Sequence, residues 1–456
     1  MKKLRDRDPQ QLTMLALTWP IFVEVFMLKL IGVSGVFMLS HLSDHAVAAV
    51  GVANQVLTLI TVIFGVVSIG TGIIVAQWLG AKEEKEAVKA SISSILFNLG
   101  IGIVISGLIW ITAPILLHAM GISLDIYNDS LLYLRGVGAC LFLQAIVMSC
   151  SAVLRNYGRT KHVMFVMLGM NIIVVCGNYL CIYAPFGWPI LGIQGVMYST
   201  IAGQGIAAIT LFFLFLRTTH TQLRECTDRP QHVRKILQIG IPSALEQISY
   251  NASQFLIFYF IASMGVEAVA TRVYLQNIAM FIPLFAGAMG QGTQIRVAYL
   301  VGASLKDKAY NLSYSNLKLA LLLCLIASTG MILLYNPLIH GFTTNQTVIK
   351  EGKILIGISL ILELGRTFNL ILTSSLRGAG DIQFPVVVGM FSMWGIGASA
   401  SFYLGSYLGL GLVGIWIAAC LDEWIRGLFM CYRWTFKKWM KQTVAVTNEK
   451  MYNNSS

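Results

Sequence analysis

The segment AVAAVGVANQ at Ala46–Gln55 returns as AVATRVYLQN at Ala268–Asn277, an offset of 222 in the numbering. The same register holds well beyond it. WPIFVE (Trp19–Glu24) falls on IPSALE (Ile241–Glu246), which sets Pro20 over Pro242 and Glu24 over Glu246. LGAKEEKEA (Leu79–Ala87) falls on VGASLKDKA (Val301–Ala309), and LRNYGRT (Leu154–Thr160) on LRGAGDI (Leu376–Ile382). A last pair, GIQGV (Gly192–Val196) and GLVGI (Gly411–Ile415), needs an offset of 219, a loss of three residues in between. Chance does not hold one register across four blocks, so the chain is an internal duplication.

Composition gives the solvent of that duplicated unit. Of 456 residues, 56% are hydrophobic and 11% charged, against about 25% charged in an ordinary soluble protein. Mean hydropathy is +0.73. Apolar stretches long enough to cross a hydrocarbon layer of about 30 Å as helices recur along the chain. They lack the alternation of a membrane β-barrel, and a backbone in lipid must satisfy its own hydrogen bonds. Spans are expected near 13–38, 48–79, 90–118, 130–154, 162–184, 190–216, 236–262, 268–301, 314–339, 351–376, 384–407 and 409–432. The expected fold is an all-α polytopic membrane protein with about twelve transmembrane helices in two pseudo-symmetric six-helix lobes. The first apolar run follows Lys2, Lys3, Arg5 and Arg7, but it is too long for a signal peptide and has no small-residue cleavage site.

The net charge of +12 lies in alternate connections. The N-terminus, Lys82–Lys89, Arg155–Lys161, Arg217–Lys235, Lys306–Lys308 and Arg433–Lys441 are basic or mixed, whereas the connections near His41–His45, His118–Ser130, Ala184–Gln194 and Gly405–Gly411 contain no Lys or Arg. The outward loop with Lys350 and Lys353 departs from the pattern. The positive-inside rule then places both termini in the cytoplasm of a multi-pass protein of the cell membrane. Membrane orientation explains this alternation better than nucleic-acid binding. The expected organisation is an N-terminal lobe at 1–216, a cytoplasmic linker at 217–235, a C-terminal lobe at 236–434 and a cytoplasmic tail at 435–456. Six spans per half give both halves the same orientation, hence parallel repeats about an axis along the membrane normal. Such lobes enclose a cleft and suit alternating access.

At these motifs the chain resembles the multidrug and toxin extrusion (MATE) family over about residues 10–435. The resemblance is carried by WP in span 1, AVAAVGVANQ and VAQWLGAK in span 2, LRxxG after span 4 and NIIVVCGN with Asn171 and Asn178 in span 5. GIPSALEQ in span 7, ELGRTFN in span 10 and SLRGAGD complete it. It implies an exporter driven by H⁺ or Na⁺, often of cationic amphipathic compounds, with a functional acid in span 7 and span-5 amides in an N-lobe cation network. The wider superfamily includes flippases of lipid-linked saccharides. Where many members carry an aspartate in a DTxM-like string of span 1, this chain reads GVFM, with Gly35 in the acidic position.

Charges inside spans are expensive and are therefore the mechanistic candidates. Glu246 in span 7 is the first candidate for a coupling-ion or substrate-cation site, against a packing carboxylate bonded to Gln247 or Asn251. Glu24 is its repeat partner. Lys29 near mid-span either neutralises Glu24 as a tethered cation, favours an anionic substrate, or snorkels. Glu363 and Arg366 share a helical face and can pair, as a structural or gating unit. Asp422, Glu423 and Arg426 are expected to form a similar cluster near the cytoplasmic end of span 12. Asn171, Asn178, Gln55, Tyr274, Gln276 and Asn277 either line the cleft or bond helix to helix. Trp19, Trp110, Trp188 and Trp439 read as interface anchors.

No HExxH, Walker A or GxSxG string occurs, and the eight cysteines form no CxxC, so neither an enzyme nor a metal site nor a bound cofactor is expected. No filter loop of a channel is present. The expected function is secondary export of a small molecule by H⁺ or Na⁺ antiport, with the chain acting as a monomer in the lipid bilayer. The alternatives are an exporter of an anionic metabolite or a lipid-linked saccharide flippase, the latter disfavoured because only Lys29, Arg366 and Arg135 stand out as cleft cations.

Overall fold

The computed structural model of the chain describes residues 13–185, 187, 189–219 and 229–441. Among them there is no strand. The first half comprises α1 (Met14–Ser40), α2 (Asp44–Gly80), α3 (Glu84–Ala119), α4 (Leu124–Ala139), α5 (Leu141–Asn156), α6 (Thr160–Tyr183) and α7 (Gly192–Thr219). The second begins with α8 (Arg229–Ala262), α9 (Val266–Ala279), α10 (Phe281–Gly302) and α11 (Lys306–Leu333), and continues with α12 (Tyr335–His340), α13 (Gln346–Gly378), α14 (Gln383–Ser392) and α15 (Gly411–Thr435). After α14 the chain runs on through wider π turns at Met393–Ala398 and Ser401–Tyr407.

Among the described residues, eight helices are long and apolar enough to cross a membrane, and the bent pairs α4/α5 and α9/α10 raise the number to ten. α8 and α15, of 34 and 25 residues, are not among these. The fold is thus the all-helical, multi-pass architecture that the sequence predicts. Residues 220–228 of the expected linker, residues 442–456 of the expected tail and Trp188 lie outside the described residues.

The duplication is visible in the backbone itself. Lys82 and Ser304, equivalent in the repeat, both take the left-handed conformation, at φ 63° and 62°. Gly158 and Gly380 do so at 74° and 92°, and Gly192 and Gly411, at the offset of 219, at 54° and 58°. The closing hydrogen bonds repeat too: Arg159 N donates to Leu154 O and Asp381 N to Leu376 O, each at 2.9 Å. Two spans break the symmetry. α9 and α10 meet at 50° where α2 is one unbroken helix, because Pro283 removes an amide and its ring opposes the carbonyl of Ala279. α4 and α5 meet at 48° where α13 is continuous. There the freed amide of Phe142 donates to Ser106 Oγ at 3.3 Å.

The chain divides into two compact units. The first comprises Val23–Leu79 and Glu83–Gly240; the second takes in the start of α1 up to Phe22, Gly80–Lys82 and the chain from Ile241 on. The change-over therefore falls inside α1 and α8, close to Pro20 and Pro242. Close backbone approach explains these memberships. In the first unit, a methyl group on Gly70 would run into the carbonyl of Ile236, and one on Gly240 into that of Val66. In the second, Gly292, the repeat partner of Gly70, lies against Thr18. Small residues let membrane helices pack this closely.

Each unit has its own apolar core. Phe64, Leu134, Leu141 and Ala145 are central to the first, and Ile371, Leu372, Leu376 and Trp434 to the second. Trp439 corrects one expectation: it is fully buried and stacks on Trp434 at 4.3 Å, so it is a core residue and not an interface anchor. Trp19 and Trp110 are more than half exposed, as anchors require.

Candidate functional site

The two glutamates that the repeat superposes do the same thing in each unit. Arg155 Nη2 at the end of α5 donates to Glu24 Oε1 at 2.5 Å. Arg377 Nη2 at the end of α13 donates to Glu246 Oε2, also at 2.5 Å. Both arginines belong to the repeated LRxxG string, so acid and base have been retained together in the two halves. Glu24 is therefore partnered by Arg155 and not by Lys29. Glu246 faces Arg377 and the close-packed Gly389, whose Cβ would stand 3.2 Å from its Oε1. These are ion pairs at the basic end of the helices, and in each the arginine Nε is buried without a hydrogen-bond partner.

In the second unit, Glu363, Arg366, Asp422, Glu423 and Arg426 form one network. Arg366 Nη1 donates to Glu363 Oε1 at 2.6 Å and its Nε to Glu423 Oε1 at 3.3 Å. Arg426 Nη2 donates to Asp422 Oδ2 at 2.7 Å and lies 3.3 Å from Glu423 Oε2. Asn369 Nδ2 donates to that same Glu423 oxygen at 2.9 Å, and Ser392 Oγ to Asp422 Oδ1 at 2.6 Å. The sequence predicts a pair on span 10 and a cluster on span 12; the fold joins them. It also moves the second group, since Asp422 and Glu423 fall at the middle of α15 and not near its cytoplasmic end. The π turn begins directly after Ser392, as such turns often do beside functional groups.

Charge balance makes this network chemically special. Three carboxylates face two guanidiniums, and all five side chains are at least three-quarters buried. Glu363 is 3% exposed, and its Oε2 has no hydrogen-bond partner. An unpaired buried carboxylate oxygen is costly unless a cation or proton meets it.

The first unit holds buried amides of its own, and Gln204 stands where the second repeat has Glu423. Asn171 and Asn178 are buried on α6, and Asn171 Nδ2 and Asn178 Oδ1 make no hydrogen bond. Gln204 Oε1 on α7 is likewise unpartnered. A side chain at Gly35 would meet open space, so no acid complements the amides from that position. Lys29 is exposed, at the position that Asn251 occupies in the repeat, and Asn251 is exposed too. Gln55, Gln276 and Asn277 are exposed, while Tyr274 is half-buried against Phe342 at 5.5 Å. Arg135 donates to the carbonyl of Trp110 at 3.2 Å and lies over its ring.

Sequence reasoning missed Arg155, Arg377, Asn369, Arg272 and the buried Asp381, which accepts from Arg433 Nε at 2.6 Å. Arg155 and Arg377 carried a usable signal, the joint repetition of LRxxG and the span-1 and span-7 glutamates. Arg272 was hidden because its repeat partner is Val50.

Known proteins share this arrangement's sequence and fold. A family model described as MatE matches residues 20–180 and 242–403, two blocks that begin at repeat-equivalent positions. The transporter YisQ of Bacillus subtilis, described as uncharacterized, is 42% identical over 98% of both chains. A probable multidrug resistance protein NorM of Thermotoga maritima is 24% identical over 96% of this chain and 95% of its own. The solved structure of an outward-facing multidrug resistance MATE family transporter superposes with a TM-score of 0.87 at 19% identity, covering 96% of this chain and 98% of that one.

Proposed function

Because the chain belongs to the MATE family, we propose that it is a secondary active transporter of the cell membrane, exporting organic, mainly cationic and amphipathic compounds by antiport. Both termini face the cytoplasm, the chain works as a monomer, and the driving ion is taken up by the network on α13 and α15. The observation that carries this reading is Glu363 Oε2, a buried and unpartnered oxygen in a cluster with one carboxylate more than guanidiniums. A single free oxygen suits a proton better than Na⁺, because a hard metal cation wants several oxygen ligands. Uptake of the proton removes the excess charge, and its release restores it, which gives the two loaded states an antiporter must alternate between.

In this reading Glu24 and Glu246 act as positioning residues through Arg155 and Arg377. Asn171 and Asn178 offer the first unit an uncharged polar patch. Lys29, Gln55, Gln276 and Asn277 lie on exposed faces of spans, where polar groups favour a wetted path over lipid.

Reconstitution of the whole chain in proteoliposomes tests this. A fluorescent organic cation is followed while H⁺ or Na⁺ gradients are imposed one at a time. The expected result is uptake driven by the H⁺ gradient and abolished in Glu363→Gln. Equal gradient-driven uptake in the native chain and Glu363→Gln would remove the network from the mechanism.

A further inference from the structure

Arg272 on α9 is 8% exposed, within a membrane-crossing pair of helices. Among the described residues it has no carboxylate within ion-pair distance. Its Nη2 donates to the amide oxygen of Gln254 at 3.3 Å, and the guanidinium lies 5.5 Å from the ring centre of Phe258. Its Nη1 is buried and makes no hydrogen bond. The ionisable group beside it is the phenol of Tyr250, which also neighbours the charged network. The network itself holds its arginines against carboxylates, so Arg272 is a different case: a buried cation held only by a neutral amide and a ring.

A permanently charged group of this kind is rare in a span and marks a solute or water pathway. A route to it is present on α8. Gln247, Asn251 and Gln254 recur at intervals of four and three, on one face of the helix. Gln247 and Asn251 are exposed and bonded to each other, and Gln254 ends the row against Arg272. A row of amides on a span surface is wasted on lipid but serves a polar solute moving along it.

We propose that Arg272, with Gln254, is an anion subsite that receives a carboxylate carried by the transported compound. The Nη1 edge supplies the free donors, and displacement of the long amide contact with Gln254 frees Nη2. Together they present the two-pronged face that guanidinium offers to carboxylate. The subsite selects, among organic solutes, those that carry a carboxylate. It rests on the reading that the chain transports organic solutes, but not on which ion drives them.

The test uses rhodamine B, an organic cation with a free carboxylate, and its ethyl ester, the same cation without one. Binding of each dye to the purified whole chain in phosphatidylcholine nanodiscs is measured by fluorescence polarisation, with no ion gradient. The native chain is expected to bind the acid about tenfold more tightly than the ester. Arg272→Gln should abolish that preference while leaving ester binding intact, and Arg272→Lys, which keeps the charge, should retain part of it. An unchanged preference in Arg272→Gln, or equal weakening of both dyes, overturns the proposal. So does displacement of the acid dye by phosphatidylglycerol in the native chain but not in Arg272→Gln, which would make a lipid headgroup the occupant. Gradient-driven uptake of the ester by Arg272→Gln, followed separately, reports on coupling alone, so failure of either reading can be recognised.

Discussion

Glu24 on α1 accepts a hydrogen bond from Arg155 on α5 at 2.5 Å, and the second repeat reproduces the contact with Glu246 and Arg377. A pair kept in both copies of a duplicated unit ties the first helix of each repeat to the end of its fourth span. Its position at the basic end, beside Pro20 and Pro242, places it where α1 and α8 pass from one compact unit to the other.

Breaking this pair from one side should hurt more than removing it. Arg155→Met leaves the carboxylate of Glu24, 4% exposed, without a partner and should lower stability by about 3 kcal/mol. Adding Glu24→Gln should recover most of that loss. Thermal unfolding followed by size-exclusion chromatography in detergent distinguishes the two; a double variant as unstable as the single one would mean that the pair is not what stabilises this junction.

The network in the second unit should respond to charge count. Arg426→Met leaves three buried carboxylates facing Arg366 alone and is expected to cost about 3–5 kcal/mol. Asp422→Asn in the same chain restores the original excess of one and should raise the melting temperature again. Without such a rescue, Arg426 would matter for packing and not for charge.

Close helix approach predicts a steric result in the first unit. Gly240→Ala would push a methyl group into the carbonyl of Val66, and over-packing of this kind costs about 1–3 kcal/mol. Gly35→Ala, which meets open space, should leave the melting temperature unchanged in the same assay.

Lys29 stands apart from Glu24, whose charge Arg155 already meets. Lys29→Met is therefore expected to change stability by less than about 0.5 kcal/mol, and its effect, measured as uptake of a panel of dyes, should fall on substrate range. A large loss of stability would place the ammonium in an internal contact.

The duplication, the helical and membranous character, the family resemblance and the identity of most of the buried charges were all legible in the order of the residues. Register and hydropathy are local properties, readable along one dimension, and an ionisable residue within an apolar run announces itself. Glu363 with Arg366 was legible as a pair because both lie on one turn of one helix. Whatever depends on partners from distant segments had to wait for the packed helices. Glu24 and Arg155 are separated by 131 residues, and no periodicity links them. Spans that are apolar all round give no sign of which face meets a neighbour. For that reason neither the joining of Glu363 to Glu423 through Arg366 nor the lack of a carboxylate beside Arg272 among the described residues was visible before the chain was folded.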